Sequence, residues 1–512
     1  MKNWSDGYFT GVNYTYGYYK QLNPSELRLA ALAGGFAPVH NQDFNYLELG
    51  FGQGVSVSVH ASATGGSYWG TDFNPVHAAN AGELTAASGA QAQLSDDSFL
   101  EFAARTDLPD FDYIALHGIW SWISDENRDV IVDLIRRKLK TGGITYVSYN
   151  TYPGWAPFIP IRQLMSLFKD NAGAFTGAEG SIVGAVQFAK NVLAAGADYY
   201  TDTPALTRHL ESLTTQGPNY IAHEYLNAEW KISTFADVAR HLSKAKLSYA
   251  GPTRLLDNIE SFRFPPDAQK LLEQIGDPVL KETTKDFLTN QIFRCDVYVK
   301  GLRRIPQGEF IRRWSEQLFV LTTHKGELPR EVVLPFGKIK LHELMPANVI
   351  DVMVEHDYAP TTIAQLRTHP RLAHASAEDV IETMMLLVGA GHASTAQVPT
   401  PEIVERCGKF NRYVRDRALV AREVECLASP ITGGAVNVPH VCLLFLNALD
   451  EGRSTTLELA THVWERFQAF GKRIKQNGAP IESREESLAT LEPMAQRFLD
   501  SMLPMLKTLK AI

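Results

Sequence analysis

At 512 residues the chain is too long for one ordinary core, and two to four domains are expected. Its 45% hydrophobic and 21% charged residues exclude a disordered or fibrous protein. A net charge of -8 argues against a general grip on nucleic acid, which favours an excess of Lys and Arg.

The opening MKNWSDGYFTG has no basic segment followed by a long apolar stretch, so no secretory signal is expected. No apolar run is long enough to cross a bilayer, and no membrane insertion is expected. Cys295, Cys407, Cys426 and Cys442 are widely spaced and form neither a zinc pattern nor a C-x-x-C pair. A cytoplasmic protein with reduced thiols and no metal site is expected.

In chain order, the pattern predicts a strand at 46–50, a helix from Val55 and a strand in SYWGTD ending at Asp72. A helix after Pro75 follows, then a brief strand near Gln91, a helix from Asp97 and a strand at 111–118. The helix from Asp125 to Leu139 is expected to end in KTGG, where glycine takes a left-handed cap, before the strand ITYVSYN. Such alternation predicts an open, mostly parallel α/β sheet that binds its ligand at the carboxyl ends of the strands.

YLELGFGQG places Gly50, Gly52 and Gly54 in the turn between the first strand and its helix. Bare backbone there lets a ligand approach the amides of the helix start. The dinucleotide fingerprint G-x-G-x-x-G is broken by Val55. Asp72 can accept from both hydroxyls of a ribose or can cap the helix after it. Asp96 or Asp97, in LSDDSF, can accept from an adenine amino group or cap the next helix. Together the three turns describe an adenosine site with no phosphate-binding lysine.

These residues resemble the S-adenosylmethionine (SAM) site of class I methyltransferases, with the E-x-G-x-G-x-G loop running from Glu48 to Gly54. VSYNTYPGW at 147–155, IAHEYLNAEW at 221–230 and DFLTNQIFRCDVYVKG at 286–301 are similar to bacterial methyltransferases with a methyltransferase regulatory domain. That group includes rickettsial protein-lysine methyltransferases acting on outer membrane protein. The resemblance implies SAM as cofactor, held by Glu48, Gly50, Gly52, Gly54, Asp72, Phe73, Asp96, Asp97, Ser98 and His117.

A class I sheet needs two further strands, the last antiparallel. FADVARHL, with Phe235, Val238, Ala239 and Leu242 on one face, and KLSYAG supply a helix and a strand, and FRCDVYVKG reads as the final strand. The sheet therefore resumes near residue 220. The predicted organisation is a first part of the core at 1–155, a helical insertion at 156–218 serving as lid or dimerisation element, completion of the sheet at 219–303 and a C-terminal region at 304–512. A homodimer is compatible with the insertion.

Methyl transfer is a direct displacement, so aligning the partners and excluding water matter most. Candidates for an acceptor pocket gather at strand ends: His117, Trp120, Trp122, Tyr149, Asn150, Tyr152 and Trp155. VNYTYGYYKQLNP adds Tyr14, Tyr16, Tyr18 and Tyr19, a possible cover for the donor. Tyr16, His117, Trp120, Asn150 and Glu224 are the candidates for catalysis. Each has an alternative: packing for the aromatics, a backbone hydrogen bond for His117, a surface salt bridge for Glu224.

Beyond 304 the sequence predicts helices with proline-rich joints and a winged-helix-like unit across 346–391. Its would-be recognition helix, 377–388, carries Glu378, Asp379 and Glu382 and no Lys or Arg, which phosphates disfavour. A protein-docking region taking no part in chemistry is expected. The expected function is SAM-dependent methylation of lysine on a protein acceptor; a small-molecule or envelope-metabolite methyltransferase and a non-catalytic SAM sensor are the alternatives.

Overall fold

The computed structural model describes residues 14–37, 43–172, 177–201, 204–213, 221, 224–225, 227, 229–476 and 479–512. Seven strands form the central sheet: β1 (Asn45–Leu49), β2 (Ser67–Thr71), β3 (Ala92–Ser95), β4 (Phe111–Leu116), β5 (Leu139–Asn150), β6 (Leu247–Pro252) and β7 (Phe293–Lys300). Their order is β3-β2-β1-β4-β5-β7-β6. The first five run parallel, and β7 runs antiparallel to both β5 and β6. This is the Rossmann-like arrangement expected, with FRCDVYVKG as the reversed strand.

Residue alternation along each strand feeds two cores, one per face. Leu47, Leu49, Ile114, Leu116 and Val147 pack with Ile131 and Ile135 of α5 (Asp125–Lys138). Tyr46, Tyr113, Tyr146, Val297 and Val299 pack with Leu27, Ala30 and Ala31 of α1 (Pro24–Ala33) and Val57 of α2 (Val55–Ala63). With both faces covered, the central strands β1 and β4 are buried along most of their length.

KTGG plays a different part from the cap expected. The helix stops at Lys138 and Leu139 already belongs to β5. Gly142, at φ +82°, lies inside the strand, where pairing with β4 jumps from Leu139 opposite Phe111 to Ile144 opposite Tyr113. The glycines make a bulge.

Between β5 and β6 lie α6 (Ile159–Ala172), α7 (Gly177–Ala194), α8 (Asp198–Thr201) and α9 (Pro204–Leu213). They share a core that includes Trp155, Met165, Ile182, Ala185, Leu206 and Leu210. After them α10 (Phe235–Ser243) buries Phe235, Val238 and Leu242 on the sheet, and β6 follows.

The chain beyond 304 packs on this sheet-bearing part. Helix Ala377–Gly389 buries Val380, Ile381, Met384 and Leu387 in a core shared with Leu29 and Leu32 of α1. It stands beside an antiparallel sheet of Leu318–Leu321, Thr361–Thr362 and Ala393–Thr395. Helix Pro401–Ala418 lays Ile403, Cys407, Phe410 and Val414 against Val55, Val59 and Ala63 of α2 and Leu84 of α3 (Pro75–Ser88). The C-terminal region thus covers the helices that flank the glycine turn. Among the described residues, no helix is long and apolar enough to cross a membrane.

Candidate functional site

Gly50, Gly52 and Gly54 take φ of +73°, +56° and +75°, a left-handed run that β-carbons disfavour. The Gly50 amide donates to the Thr71 carbonyl at 2.7 Å, tying the turn to β2, and Gly54 starts α2. A Cβ at Gly50 would lie 2.1 Å from Ile119 Cδ1, and one at Gly54 2.2 Å from Ala81 Cβ. Those two glycines serve packing. A Cβ at Gly52 would meet only the Tyr14 ring, at 3.1 Å. Gly52 is therefore the least confined of the three, with the Tyr14 ring over it.

Asp72 directly follows β2 and is 6% exposed. The cap of α3 is Asn74, whose side chain accepts from the Val76 amide at 3.0 Å, so capping is not the task of Asp72. Its Oδ2 accepts from the Gly52 amide at 2.8 Å; its Oδ1 accepts from the Asn74 amide at 3.1 Å and lies 3.0 Å from His77 Nδ1. Phe73 follows, half-buried. Glu48 is buried under the turn with Tyr46 Oη donating at 3.5 Å, and burial pushes its carboxyl up to about 8. Gln53 Nε2 donates to the Tyr14 carbonyl, while its buried Oε1 has no hydrogen-bond partner among the described residues. That orphaned acceptor suits a donor group on a ligand.

At the end of β3, Asp97 Oδ2 accepts from Ser95 Oγ at 2.8 Å and from Arg105 at 3.4 Å. Asp96 is exposed. Ser98, rather than either aspartate, caps α4 (Phe99–Ala104), in a reciprocal box with Glu101. Its hydroxyl is thereby committed to the helix.

His117 directly follows β4, with Nδ1 2.8 Å from Tyr146 Oη and 3.3 Å from Ser148 Oγ. Burial pulls the imidazole down to about 4, so it is neutral near pH 7. The Tyr19 ring sits 4.1 Å from it, centroid to centroid, and the Tyr19 amide donates to Ser56 Oγ. Tyr14 and Tyr19 are the tyrosines placed at the turn. Tyr16, expected there, lines a crevice with Asn80, Leu84, Tyr413 and Arg417, drawn away by the C-terminal region. Trp120 is 1% exposed and packs in the core under β4 and β5 with its edge toward His241. A side chain so enclosed is a packing residue, which corrects its candidacy for catalysis. Tyr149 likewise points inward and donates to Asp296.

Asn150, the last residue of β5, is held by its amide donating to Ser121 Oγ and its carbonyl accepting from Ser233. Its Nδ2 donates to Glu224 Oε1 at 3.3 Å. Burial pushes the Glu224 carboxyl up to about 7, against the lowering effects of Asn150 and Arg162. Arg162 is 9% exposed, donates to the Asn227 carbonyl and stacks 4.4 Å over the Trp230 ring. Its Nε and the indole N–H groups of Trp155 and Trp230 are buried without hydrogen-bond partners among the described residues. The sequence reading missed Arg162, Trp230, Gln53 and His77. A lone arginine within the apolar run FIPIRQLM was the available signal for Arg162; the others carried none.

The family described as predicted methyltransferase regulatory domain matches residues 217–300, the stretch that supplies Glu224, α10, β6 and β7. An uncharacterized protein of Synechocystis sp. is 33% identical over 511 residues, covering 99% of this chain and 99% of the relative. The chain belongs to one family with this relative, and its segment 217–300 is a predicted methyltransferase regulatory domain. An uncharacterized protein of Rickettsia prowazekii is 29% identical over 287 residues, 54% of this chain and 49% of that relative. The solved structure of PKMT2 from Rickettsia typhi in complex with AdoHcy shares the fold, with a TM-score of 0.69 at 18% identity, over 96% of this chain and 99% of that one. The regulatory-domain segment completes the central sheet and brings a carboxyl to the end of β5.

Proposed function

We propose that the protein is a cytoplasmic methyltransferase that binds SAM at the glycine turn and methylates lysine side chains of a protein acceptor. The carrying observation is a pair of carboxyls at the carboxyl ends of the strands: Asp72, accepting from the Gly52 amide, and Glu224 beside Asn150. Bound SAM supplies an electrophilic methyl group on a cationic sulfur. Asp72 Oδ2, beside Gly52, offers its remaining lone pair to a ribose hydroxyl, and Gln53 Oε1 accepts a further hydrogen bond. Asp97 stands at the end of the neighbouring strand, within reach of the adenine side. Phe73 and Asp96 keep their place beside these acids, and Ser98 contributes through the position of α4.

On the acceptor side, a lysine must surrender a proton from a group with an ordinary pKa near about 10.4. A carboxyl near 7, half-buried beside Asn150 and Arg162, can hold the ammonium while burial favours the neutral amine. His117, neutral and facing Tyr19, helps to enclose the donor and excludes water. Four free thiols suit a reducing compartment. Exposed Leu167 and Val183 on the inserted helices offer apolar surface for a macromolecule.

Incubation with methyl-labelled SAM and a size-fractionated bacterial lysate tests this. Methyllysine recovered after hydrolysis of labelled protein supports it. Label confined to small molecules replaces it with the metabolite reading, and SAM binding without transfer makes the protein a sensor.

A further inference from the structure

Residues 14–25 run as a strap between the glycine turn and the C-terminal region, and their contacts divide by side. Toward the turn, the Tyr14 ring lies over Gly52, the Tyr14 carbonyl accepts from Gln53 and the Tyr19 ring faces His117. The opposite side is gripped by residues almost four hundred positions away. Tyr16 sits with Tyr413 and Arg417. Lys20 Nζ donates to the Val388 carbonyl at 3.1 Å, Asn23 Nδ2 to the Thr432 carbonyl at 3.3 Å, and Ser25 Oγ lies 2.9 Å from Thr395 Oγ1.

Tyr18 is the tightest of these fastenings. Its Oη lies 3.3 Å from His60 Nε2 on α2, and it packs against the core built from α2 and the C-terminal helices. A Cβ added at Gly434 would stand 2.3 Å from Tyr18 Oη and 2.9 Å from Asn23 Nδ2. The seat is therefore shaped to exclude even one methyl group. A strap that crosses the site but is fastened on its far side cannot leave the C-terminal region without moving Tyr14 and Tyr19.

We infer that this strap is a cofactor-positioning element seated by the C-terminal region, so that Tyr18 and Gly434 are positioning residues that set the affinity for SAM. The inference rests on the reading of the glycine turn as the SAM site. When only a fraction of molecules has the competent arrangement, apparent affinity falls by that fraction. A strap left seated in about a tenth of molecules weakens binding about tenfold.

The experiment is calorimetric titration of the full chain with SAM and AdoHcy. Gly434→Ala is expected to weaken both about tenfold. Combining it with Tyr18→Phe, which removes the clashing oxygen, restores part of the loss, a relief that general destabilisation would not give. Gly408→Ala, at a helical site with open space around a Cβ, leaves affinity unchanged. Tyr18→Ala covers the case in which Gly434→Ala does not fold, and it too weakens binding about tenfold. Folded variants at position 434 or 18 with wild-type affinity overturn the coupling alone. A wild-type chain that binds neither ligand overturns the cofactor reading, and the inference with it.

Discussion

The Gly52 amide donates to Asp72 Oδ2 at 2.8 Å, so the least confined glycine of the turn and the acid at the next strand end are one unit. Asp72 holds the turn open as well as offering lone pairs to a ligand. Asp72→Ala removes both effects. The expected loss in SAM binding is about 1–3 kcal/mol, about five- to 150-fold in Kd. Titration calorimetry measures it, and a folded variant that keeps wild-type affinity would remove Asp72 from the site.

Glu48 provides a test by pH. Its folded pKa of about 8 lies above the ordinary carboxyl value, so between roughly 4.5 and 8 the folded chain holds a proton that the unfolded chain has released. The stability it contributes is complete at low pH and is lost as pH rises toward about 8. His60 and His117, depressed to about 3 and 4, act with the opposite sign, but only below about 6.5. Between pH 6.5 and 8 the ligand-free wild type is expected to lose Tm relative to Glu48→Gln. A constant difference across that range contradicts the burial of an uncharged Glu48.

Glu224 makes a prediction about rate. With a carboxyl near 7, the form able to hold an ammonium and take its proton predominates above that pH. Transfer to the labelled acceptor should rise with pH through about 7. Glu224→Gln should abolish that limb, with a loss of about 100-fold or more. Asn150→Ala or Arg162→Met should move the limb to higher pH, because both partners lower the Glu224 pKa. A pH profile that is identical in Glu224→Gln assigns the limb to another group.

The glycine turn, Asp72 and the interrupted sheet were legible because each is a local pattern: a left-handed run, a strand-end acid, a period that changes from strand to helix. Tyr16 was indistinguishable from Tyr19, since four tyrosines within six residues carry no period. Their division is decided by Tyr413, Arg417 and Gly434, far along the chain. Trp120 looked like a pocket residue because strand ends host both pockets and core; only the packing of α5 and α10 around it separates the two. Gln53 and Arg162 stood out by no spacing, because orphaned donors and acceptors are a property of tertiary burial.

The region beyond 304, expected to dock an acceptor, also completes the core, and this changes what its removal should do. Val55 and Val59 of α2, Leu84 of α3, and Leu29 and Leu32 of α1 are buried, and all join cores built with C-terminal residues. Re-exposing five such side chains, at about 1.5–3 kcal/mol each, costs on the order of 10 kcal/mol. That approaches the whole stability of a typical domain, about 5–15 kcal/mol. A chain ending near residue 304 is therefore expected to aggregate or to melt without cooperativity. It also loses the seat of the Tyr14–Tyr19 strap. Size-exclusion chromatography, thermal melting and SAM titration of that fragment decide the point. A soluble fragment with a cooperative melt and full SAM affinity would show that the C-terminal region serves docking alone.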